Sequence, residues 1–322
     1  MLEAPSFVKK QILFAFLNQG DKLTFQNDNV VIRDAENKIR HQSTCYRLFA
    51  LYVVGHTTLT TGLIQRAAKF GFSIIFLTGG FRIYHRISSR HEGNTLLHRM
   101  QYQYTSLDLA RHILSNKIRS QRTVLHGQRE KSPALKAAIR LLDEYLHQLP
   151  THDDLNALMG VEGAAARIYF PNHFNDIPWT RRQPRVKADW INSLLDIGYT
   201  ILFTFIESLL EIYGFDLYCG VMHKEFYMRK SLVCDLVEPF RPLIDQQIKK
   251  SIHLRQFQEK DFTVINHSYQ LEWKHSPRYS QILLQAILKR REEIFKYIQS
   301  YYRAFMRQKP ISQYPIFEIE KE

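Results

Sequence analysis

The sequence contains little cysteine, with only Cys45, Cys219 and Cys234 among its 322 residues. An odd number this small cannot supply the paired disulfides that stabilise small secreted domains. A signal-peptide pattern is also missing, because Glu3 precedes the first lysines and the apolar run that follows has no small-residue cleavage site. These absences exclude a secreted disulfide scaffold, and we expect a cytoplasmic protein.

Long hydrophobic runs and acidic residues are also scarce. The longest apolar stretch, residues 191–213, contains Asp196, Glu207 and Glu211, so the sequence predicts no membrane span. Asp and Glu number 31 against 44 Lys and Arg, which gives a formal net charge of +13 and favours an anionic partner. Hydrophobic residues still make up 45% of the chain, enough to fill the cores of two domains, and this excludes a disordered chain.

Two hydrophobic patterns divide the chain. Up to about residue 88, short apolar or alternating runs separated by turn residues predict strands, with one helix over residues 60–70. From Asn94 onward, apolar residues recur with the period of a helix. The predicted fold is therefore α+β: a small β-rich N-terminal domain (residues 1–88), a short linker near Ser88–Gly93, and a larger all-helical domain (residues 94–322).

The predicted elements can be stated residue by residue. The predicted strands are Gln11–Leu17, Lys22–Phe25, Val30–Asp34, Lys38–Gln42, Leu48–Val54, Ser73–Leu77 and Phe81–Ile87. The predicted helices of the second domain are Thr95–Lys117, Pro133–Gln148, Asp153–Phe170, Asp189–Tyr213, Leu232–Ile252 and Tyr279–Met306. Pro171 is expected to end the third of these helices, because proline lacks the N–H that a helix interior requires.

Positive charge is concentrated in three segments. Residues 82–140 carry twelve Lys or Arg against three acids, and therefore nine of the thirteen net positive charges. A loop over residues 181–187 contains Arg181, Arg182 and Arg185, and residues 289–291 form the third cluster. Any one cluster could be a solvated surface. Together they favour phosphate binding, without distinguishing DNA from RNA.

Glu162 lies among apolar residues on a predicted helix. It shares a face with Leu158, Ala165, Ala166 and Tyr169, at successive spacings of three and four residues. A carboxylate in such surroundings is costly unless a charged partner or a metal compensates it. An arginine-paired structural glutamate explains this position as well as a metal ligand does.

A second apolar helix carries Asp235 and Glu238 three residues apart. A divalent cation would relieve their repulsion, and so would Arg241, which follows Glu238 by three residues. Acids in the first turn of a helix also suit its dipole without any function. His223 lies a short way upstream, but sequence spacing alone does not bring it to Glu162 or Glu238.

At these positions the sequence resembles the CRISPR-associated integrases of spacer acquisition, a family of metal-dependent DNA endonucleases. Four segments, in the family's order, carry the resemblance. Gly160–Phe170 is similar to G-x-E-G-x-x-A-x-x-Y-F; Arg182, Pro184 and Asp189–Leu195 to R-x-P-x-D-x-x-N-x-L-L; Tyr213–His223 to Y-G-L-D-P-Y-x-G-F-L-H; and Ser231–Pro242 to S-L-A-L-D-L-x-E-x-F-R-P. Upstream, Asn94–Gln101 matches the N-x-x-x-x-R-x-Q that opens the family's helical domain.

The resemblance implies a metal site and a reaction. The implied metal ligands are Glu162, His223 and Glu238, with Asp235 as a further catalytic acid. Two carboxylates and an imidazole suit Mg²⁺ or Mn²⁺ rather than a thiolate zinc site. A cation held there would let the 3′-hydroxyl of a DNA fragment attack a phosphodiester of the CRISPR repeat.

The resemblance also implies partners. The β-rich domain would mediate a homodimer, and two dimers would assemble around a small ferredoxin-like adaptation protein. The double-stranded DNA substrates, prespacer and repeat, are expected to contact Arg181, Arg182, Arg185 and Arg241, with no membrane involved.

Two other functions remain open: a structure-specific nuclease that acts on branched DNA in repair, and a non-catalytic DNA-binding scaffold. The scaffold is disfavoured because it needs no acids on apolar helix faces.

Overall fold

The computed structural model describes residues 7, 9–79, 81, 83–87, 94–179 and 181–320. The chain divides into two compact units, Met1–Gly93 and Asn94–Glu322. The first is rich in strands and the second is mostly helical, so the predicted fold class is confirmed. The predicted linker at Ser88–Gly93 lies outside the described residues, as do Arg82 and Arg90 of the first basic segment.

The first unit contains two sheets. Its strands are β1 (Gln11–Leu17), β2 (Lys22–Gln26), β3 (Asn29–Arg33), β4 (Ile39–Thr44), β5 (Leu48–Gly55), β6 (Ser73–Leu77) and β7 (Ile83–Ile87). One sheet has the order β1-β5-β6-β7, with β7 antiparallel to its neighbour and the other pairs parallel. The other sheet is the antiparallel β2-β3-β4. Strand β5 is buried along almost its whole length, as its continuous apolar sequence predicts for an inner strand of a parallel sheet.

Local signals fix the ends of the elements in this unit. Asn27 and Asp28 adopt positive φ angles and form the tight turn between β2 and β3. Helix α1 (Thr61–Phe70) begins where the Thr60 hydroxyl accepts the N–H of Leu63, and it ends at Gly71 in the left-handed conformation.

The second unit is built from nine described helices and one hairpin. The helices are α2 (Thr95–Gln103), α3 (Asp108–Gly127), α4 (Pro133–Gln148), α5 (Leu155–His173), α6 (Trp190–Ile212), α7 (Ser231–Val237), α8 (Arg241–His253), α9 (Ser276–Lys289) and α10 (Arg291–Met306); the hairpin strands are β8 (Phe262–Ile265) and β9 (Ser268–Leu271). Helix α3 packs against α4, α5, α8 and the 3₁₀ turn Glu238–Phe240, so the residues of its buried face lie at the centre of the unit.

Helix α6 forms much of the core and packs against α7, α8 and α9. Gly198 permits the close approach to α8, because a Cβ there would lie 2.5 Å from Ile244 Cγ2. Among the described residues, α6 alone is long and apolar enough to cross a membrane, but 83% of its apolar window is buried inside the protein. This degree of burial is typical of the core helix of a soluble domain.

The predicted helix Thr95–Lys117 is wrong in its continuity, because the structure has two helices there. The break falls between α2 and α3, where the Ser106 hydroxyl accepts the N–H of Asp108 and the Tyr104 hydroxyl accepts the N–H of Leu109. These hydroxyl groups satisfy the first backbone N–H groups of α3, so a separate helix begins there.

The structure differs from the prediction at three other helices. Pro171 does not end its helix: α5 continues to His173, and the N–H of Phe174 still bonds the carbonyl of Phe170. The predicted helix Leu232–Ile252 is interrupted at Glu238–Phe240, where Pro239 lacks an N–H. The predicted helix Tyr279–Met306 is divided at Arg290.

The hairpin of β8 and β9 was not predicted from the sequence. Its turn residues Asn266 and His267 adopt positive φ angles, the geometry of a two-residue hairpin turn. The sequence pattern is weak there because Val264 and Ile265 are exposed rather than packed on one face.

Candidate active site

Lys117 joins the two glutamates that the sequence singles out. It lies on the buried face of α3 and is 5% exposed. Its ammonium contacts Glu162 Oε1, on α5, and lies 2.6 Å from Glu238 Oε2, at the end of α7. Three elements that are far apart in sequence therefore meet at one nitrogen atom.

Glu238 is the more deeply buried of the two acids, at 2% exposure. Burial by itself would raise the pKa of its carboxyl, but Arg241 and Lys117 outweigh burial and lower that pKa. The guanidinium of Arg241 lies 3.1 Å from Oε1, the oxygen that Lys117 does not contact. Burial likewise disfavours the charged form of Lys117, but Glu238 and Glu162 outweigh burial and raise its pKa.

His223 is held in place by Asp235. Its Nδ1 lies 2.7 Å from Asp235 Oδ1, and the same carboxylate accepts the backbone N–H groups of Val221, Met222 and His223 at 2.6, 3.1 and 2.8 Å. The chain comes this close because residue 220 is glycine: a Cβ there would lie 2.8 Å from Asp235 Oδ2. Because Nδ1 is engaged, Nε2 is the ring nitrogen left to bind a ligand.

A cavity of about 720 Å³ borders this cluster at Lys117, Glu162 and Arg241. The guanidinium-bearing residues Arg181 and Arg182 also line it. Positive charge thus surrounds an acidic centre, an arrangement that suits a phosphodiester held against a metal site.

The predicted DNA-binding arginines differ in their surroundings. Arg181 and Arg185 are exposed. Arg182 is engaged inside the protein, 2.5 Å from Asp196 Oδ1 and 3.1 Å from Asn192 Oδ1. Arg241 pairs with Glu238, so it positions an acid as well as facing the cavity.

The ring of Tyr199 packs against the guanidinium groups of two of these arginines. The guanidinium carbons of Arg182 and Arg241 lie 5.4 and 4.9 Å from the centre of its ring. Its hydroxyl donates to Asp245 Oδ1 at 2.5 Å. Asp245 is 1% exposed, and burial raises the pKa of its carboxyl to about 7.

The structure brings some of the predicted ligands together. Glu162 and Glu238 share Lys117, and the charge of His223 is among the causes that lower the pKa of Glu238. Across the described ranges, however, no three His, Cys, Asp or Glu side chains converge closely enough to hold a metal ion. Convergence of Glu162, His223 and Glu238 on one ion therefore stays a prediction.

The residues nevertheless fit a divalent cation. Two carboxylate oxygens already contact one positively charged atom, and buried Glu238 Oε2 has no hydrogen-bond partner beyond that ion pair. An imidazole whose other nitrogen is anchored by a carboxylate is a common form of metal ligand.

Lys117, Tyr199 and Asp245 were not singled out from the sequence. Lys117 carried a detectable signal, because it follows Ile113 and Leu114 on an apolar helix stripe where a lysine is costly. Tyr199 and Asp245 carried none, since a tyrosine and an acid on different helices reveal their contact only in three dimensions.

Comparisons with known proteins agree with this architecture. Residues 15–283 match the family model described as CRISPR associated protein Cas1. A curated relative, the CRISPR-associated endonuclease Cas1 1 of Chlorobaculum tepidum, is 30% identical over 278 residues, which cover 80% of this chain and 80% of that protein.

Two solved structures share the fold. A chain of a Cas6-RT-Cas1–Cas2 complex superposes with a TM-score of 0.81 at 21% identity, covering 97% of this chain and 36% of that longer one. A casposase bound to its integration product gives a TM-score of 0.77 at 16% identity and covers 96% of each chain. At these identities the likeness concerns the fold alone.

Proposed function

The chain belongs to the family of CRISPR-associated Cas1 endonucleases, and we propose that it is a metal-dependent DNA endonuclease and integrase. Its reaction inserts short DNA fragments, the spacers, into a CRISPR array. The observation that carries the proposal is the meeting of Glu162 and Glu238 at one cationic atom beside an arginine-lined cavity.

Glu162, Glu238 and Nε2 of His223 would hold Mg²⁺ or Mn²⁺, a choice supported by the mixed oxygen and nitrogen donor set. When bound, such a cation makes a hydroxyl more acidic and neutralises charge on a phosphate. Asp235 fixes the orientation of His223. Arg241 holds Glu238 and contributes positive charge to the cavity, where a scissile phosphate would lie.

The reaction exchanges one phosphodiester bond for another. The 3′-oxygen of the fragment forms a bond to a phosphorus of the repeat strand, and the bond from that phosphorus to the 3′-oxygen of the repeat breaks. The proton leaves the attacking hydroxyl, and the departing 3′-oxygen takes one up. With water as the attacking group, the same exchange is hydrolysis and the protein acts as an endonuclease.

The assembly follows from the substrate. A fragment has two ends, so two active sites are required, and a homodimer formed through the β-rich unit would supply them. We further propose that a small ferredoxin-like adaptation protein joins two such dimers in the cytoplasm; the Cas6-RT-Cas1–Cas2 complex, whose name includes Cas2, supports this.

Two alternatives are distinguished by one experiment. The protein is incubated with Mn²⁺, a supercoiled plasmid that carries repeats, and a short duplex ending in either a 3′-hydroxyl or a 3′-dideoxynucleotide. Integration requires the hydroxyl and joins the fragment to the plasmid at a repeat boundary. A repair nuclease would instead cut a branched duplex, supplied in a parallel reaction, and would join neither fragment to the plasmid; a scaffold would give no product at all.

Variants connect this assay to the site. Glu162→Gln should abolish joining while DNA binding is retained, because phosphate contacts lie elsewhere. Glu144→Gln, at an exposed position of α4, is the matched control and should join normally. Full joining by Glu162→Gln would remove the acid pair from the mechanism.

A further inference from the structure

Lys117 occupies an unusual position for a lysine. Its side chain is 6% exposed, and its ammonium is held between two carboxylates that come from two other elements. A lysine this deeply buried needs compensation, and here both compensating charges are residues that the proposed function assigns to a metal.

The ammonium uses the oxygens that a dication would need. Oε1 of Glu238 already lies 3.1 Å from the Arg241 guanidinium. Oε2 is therefore the oxygen of Glu238 that faces the shared position, and Lys117 lies 2.6 Å from it. Carboxylate oxygens bind Mg²⁺ or Mn²⁺ at about 2.0–2.2 Å. An ammonium group that contacts both acids occupies the same position, so the ammonium and the dication cannot be bound there together.

From this geometry we infer that Lys117 is a built-in competitor of the catalytic cation, displaced from Glu162 and Glu238 when the dication binds. The inference rests on the proposed metal site and adds a residue to it. Space for the displaced side chain is available, because Lys117 also lines the cavity of about 720 Å³ and its four-carbon stem is flexible.

Competition has a measurable consequence for affinity. Lys117→Met keeps an unbranched side chain, one atom shorter, and removes its charge, so Mn²⁺ no longer has to displace a cation. We expect Mn²⁺ to bind Lys117→Met at least about tenfold more tightly than the metal-stripped wild-type protein, measured by titration calorimetry at mildly alkaline pH. A lysine that merely supports the site would give the opposite sign, weaker binding, or no change.

Lys249→Met is the matched control. Lys249 is also largely buried and ion-paired, 3.0 Å from Asp176 Oδ1, but it contacts neither Glu162 nor Glu238. Its substitution should lower thermal stability and leave Mn²⁺ affinity unchanged. An equal gain in affinity in both variants would mean that general loosening, rather than competition at the acids, is responsible.

A second measurement uses the wild-type chain and does not depend on the variant folding. An amine-reactive acylating reagent is applied with and without Mn²⁺, and modification of each lysine is read by mass spectrometry. Displacement exposes the Lys117 amine, so its modification should rise several-fold with Mn²⁺ while that of Lys249 stays constant. Unchanged or reduced modification of Lys117 overturns the inference.

These results separate the inference from the proposed function. If wild type and Lys117→Met both fail to bind Mn²⁺, the metal site is wrong and both ideas fall. If wild type binds Mn²⁺ and Lys117→Met binds it equally or less tightly, the metal site stands and the competition is refuted. Binding by Lys117→Met alone supports the competition in its strongest form.

Discussion

Nδ1 of His223 lies 2.7 Å from Oδ1 of Asp235, and this contact ties a candidate metal ligand to a carboxylate that is itself saturated with hydrogen bonds. Asp235 accepts three backbone N–H groups besides the imidazole and is 0% exposed. These contacts orient the imidazole of His223, and a catalytic role for Asp235 stays a prediction.

Replacing Asp235 should therefore affect stability and metal affinity together. In Asp235→Asn, the amide NH₂ of the new side chain faces backbone N–H groups that previously donated to a carboxylate oxygen. Those buried N–H groups lose their acceptor, which should lower the unfolding free energy by about 1–3 kcal/mol. Loss of the orientation of His223 should weaken Mn²⁺ binding by roughly 10–100-fold. Thermal melting and calorimetry measure the two effects.

Asp153→Asn is the control for this variant, because the Asp153 side chain is 95% exposed. It should change neither quantity. Normal Mn²⁺ affinity in a folded Asp235→Asn protein would show that the contact with Asp235 does not prepare His223 for a metal.

The buried carboxyl of Asp245 predicts a pH dependence of stability. Its pKa is about 7 in the folded protein against an ordinary value of 3.8, so the folded state binds the proton more tightly than the unfolded state does. Its contribution to stability is therefore fully present below the unfolded pKa and is lost as the pH rises toward the folded pKa.

Asp245→Asn removes this titration while keeping an oxygen that can accept from Tyr199. The unfolding free energies of the two proteins should agree at low pH and diverge as the pH rises. Above neutrality the variant should be more stable by on the order of 4 kcal/mol. Parallel urea unfolding curves across this range, with a constant difference between the proteins, would contradict the prediction.

The loop of residues 181–187 is predicted to bind DNA through its exposed arginines. Substituting Arg181 and Arg185 together with alanine should reduce the slope of log affinity against log salt by up to about two phosphate contacts, since each contact releases counterions. Arg182 is left unchanged, because its ion pair with Asp196 holds the loop.

Arg307→Ala with Lys309→Ala removes the same charge at exposed positions elsewhere on the helical unit and should leave the slope unchanged. Fluorescence anisotropy over a range of salt concentrations distinguishes the two double variants. Identical slopes in both would place the loop outside the DNA-binding surface.

The β-rich unit is predicted to mediate the homodimer. Sedimentation of the full chain should show a dimer, whereas a chain beginning at Asn94, where the compact helical unit starts, should be monomeric at the same concentration. Dimerisation of the shorter chain with undiminished affinity would assign the interface to the helices.

Sequence reasoning singled out residues that conflict with their own helix. Glu162 and Glu238 could be found because a carboxylate on an apolar face is costly wherever that helix packs. The division into a β-rich and a helical part followed from hydrophobic periodicity, which depends on neighbours close in sequence.

Contacts between distant segments could not be found in this way. Lys117 precedes Glu162 by 45 residues, and on sequence alone it is one of twelve cations in a basic segment. The break before Asp108 depends on hydroxyl groups of Ser106 and Tyr104, which hydrophobic periodicity does not register.

The central claim is that Glu162 and Glu238, with His223, hold the catalytic cation. The most direct test is a crystal structure of the full chain grown with Mn²⁺, with anomalous diffraction recorded at the manganese edge. The account predicts one strong peak within about 2.0–2.6 Å of a carboxylate oxygen of each glutamate and of Nε2 of His223, with the Lys117 ammonium moved away. A manganese peak elsewhere, with Lys117 still between the two glutamates, would contradict it.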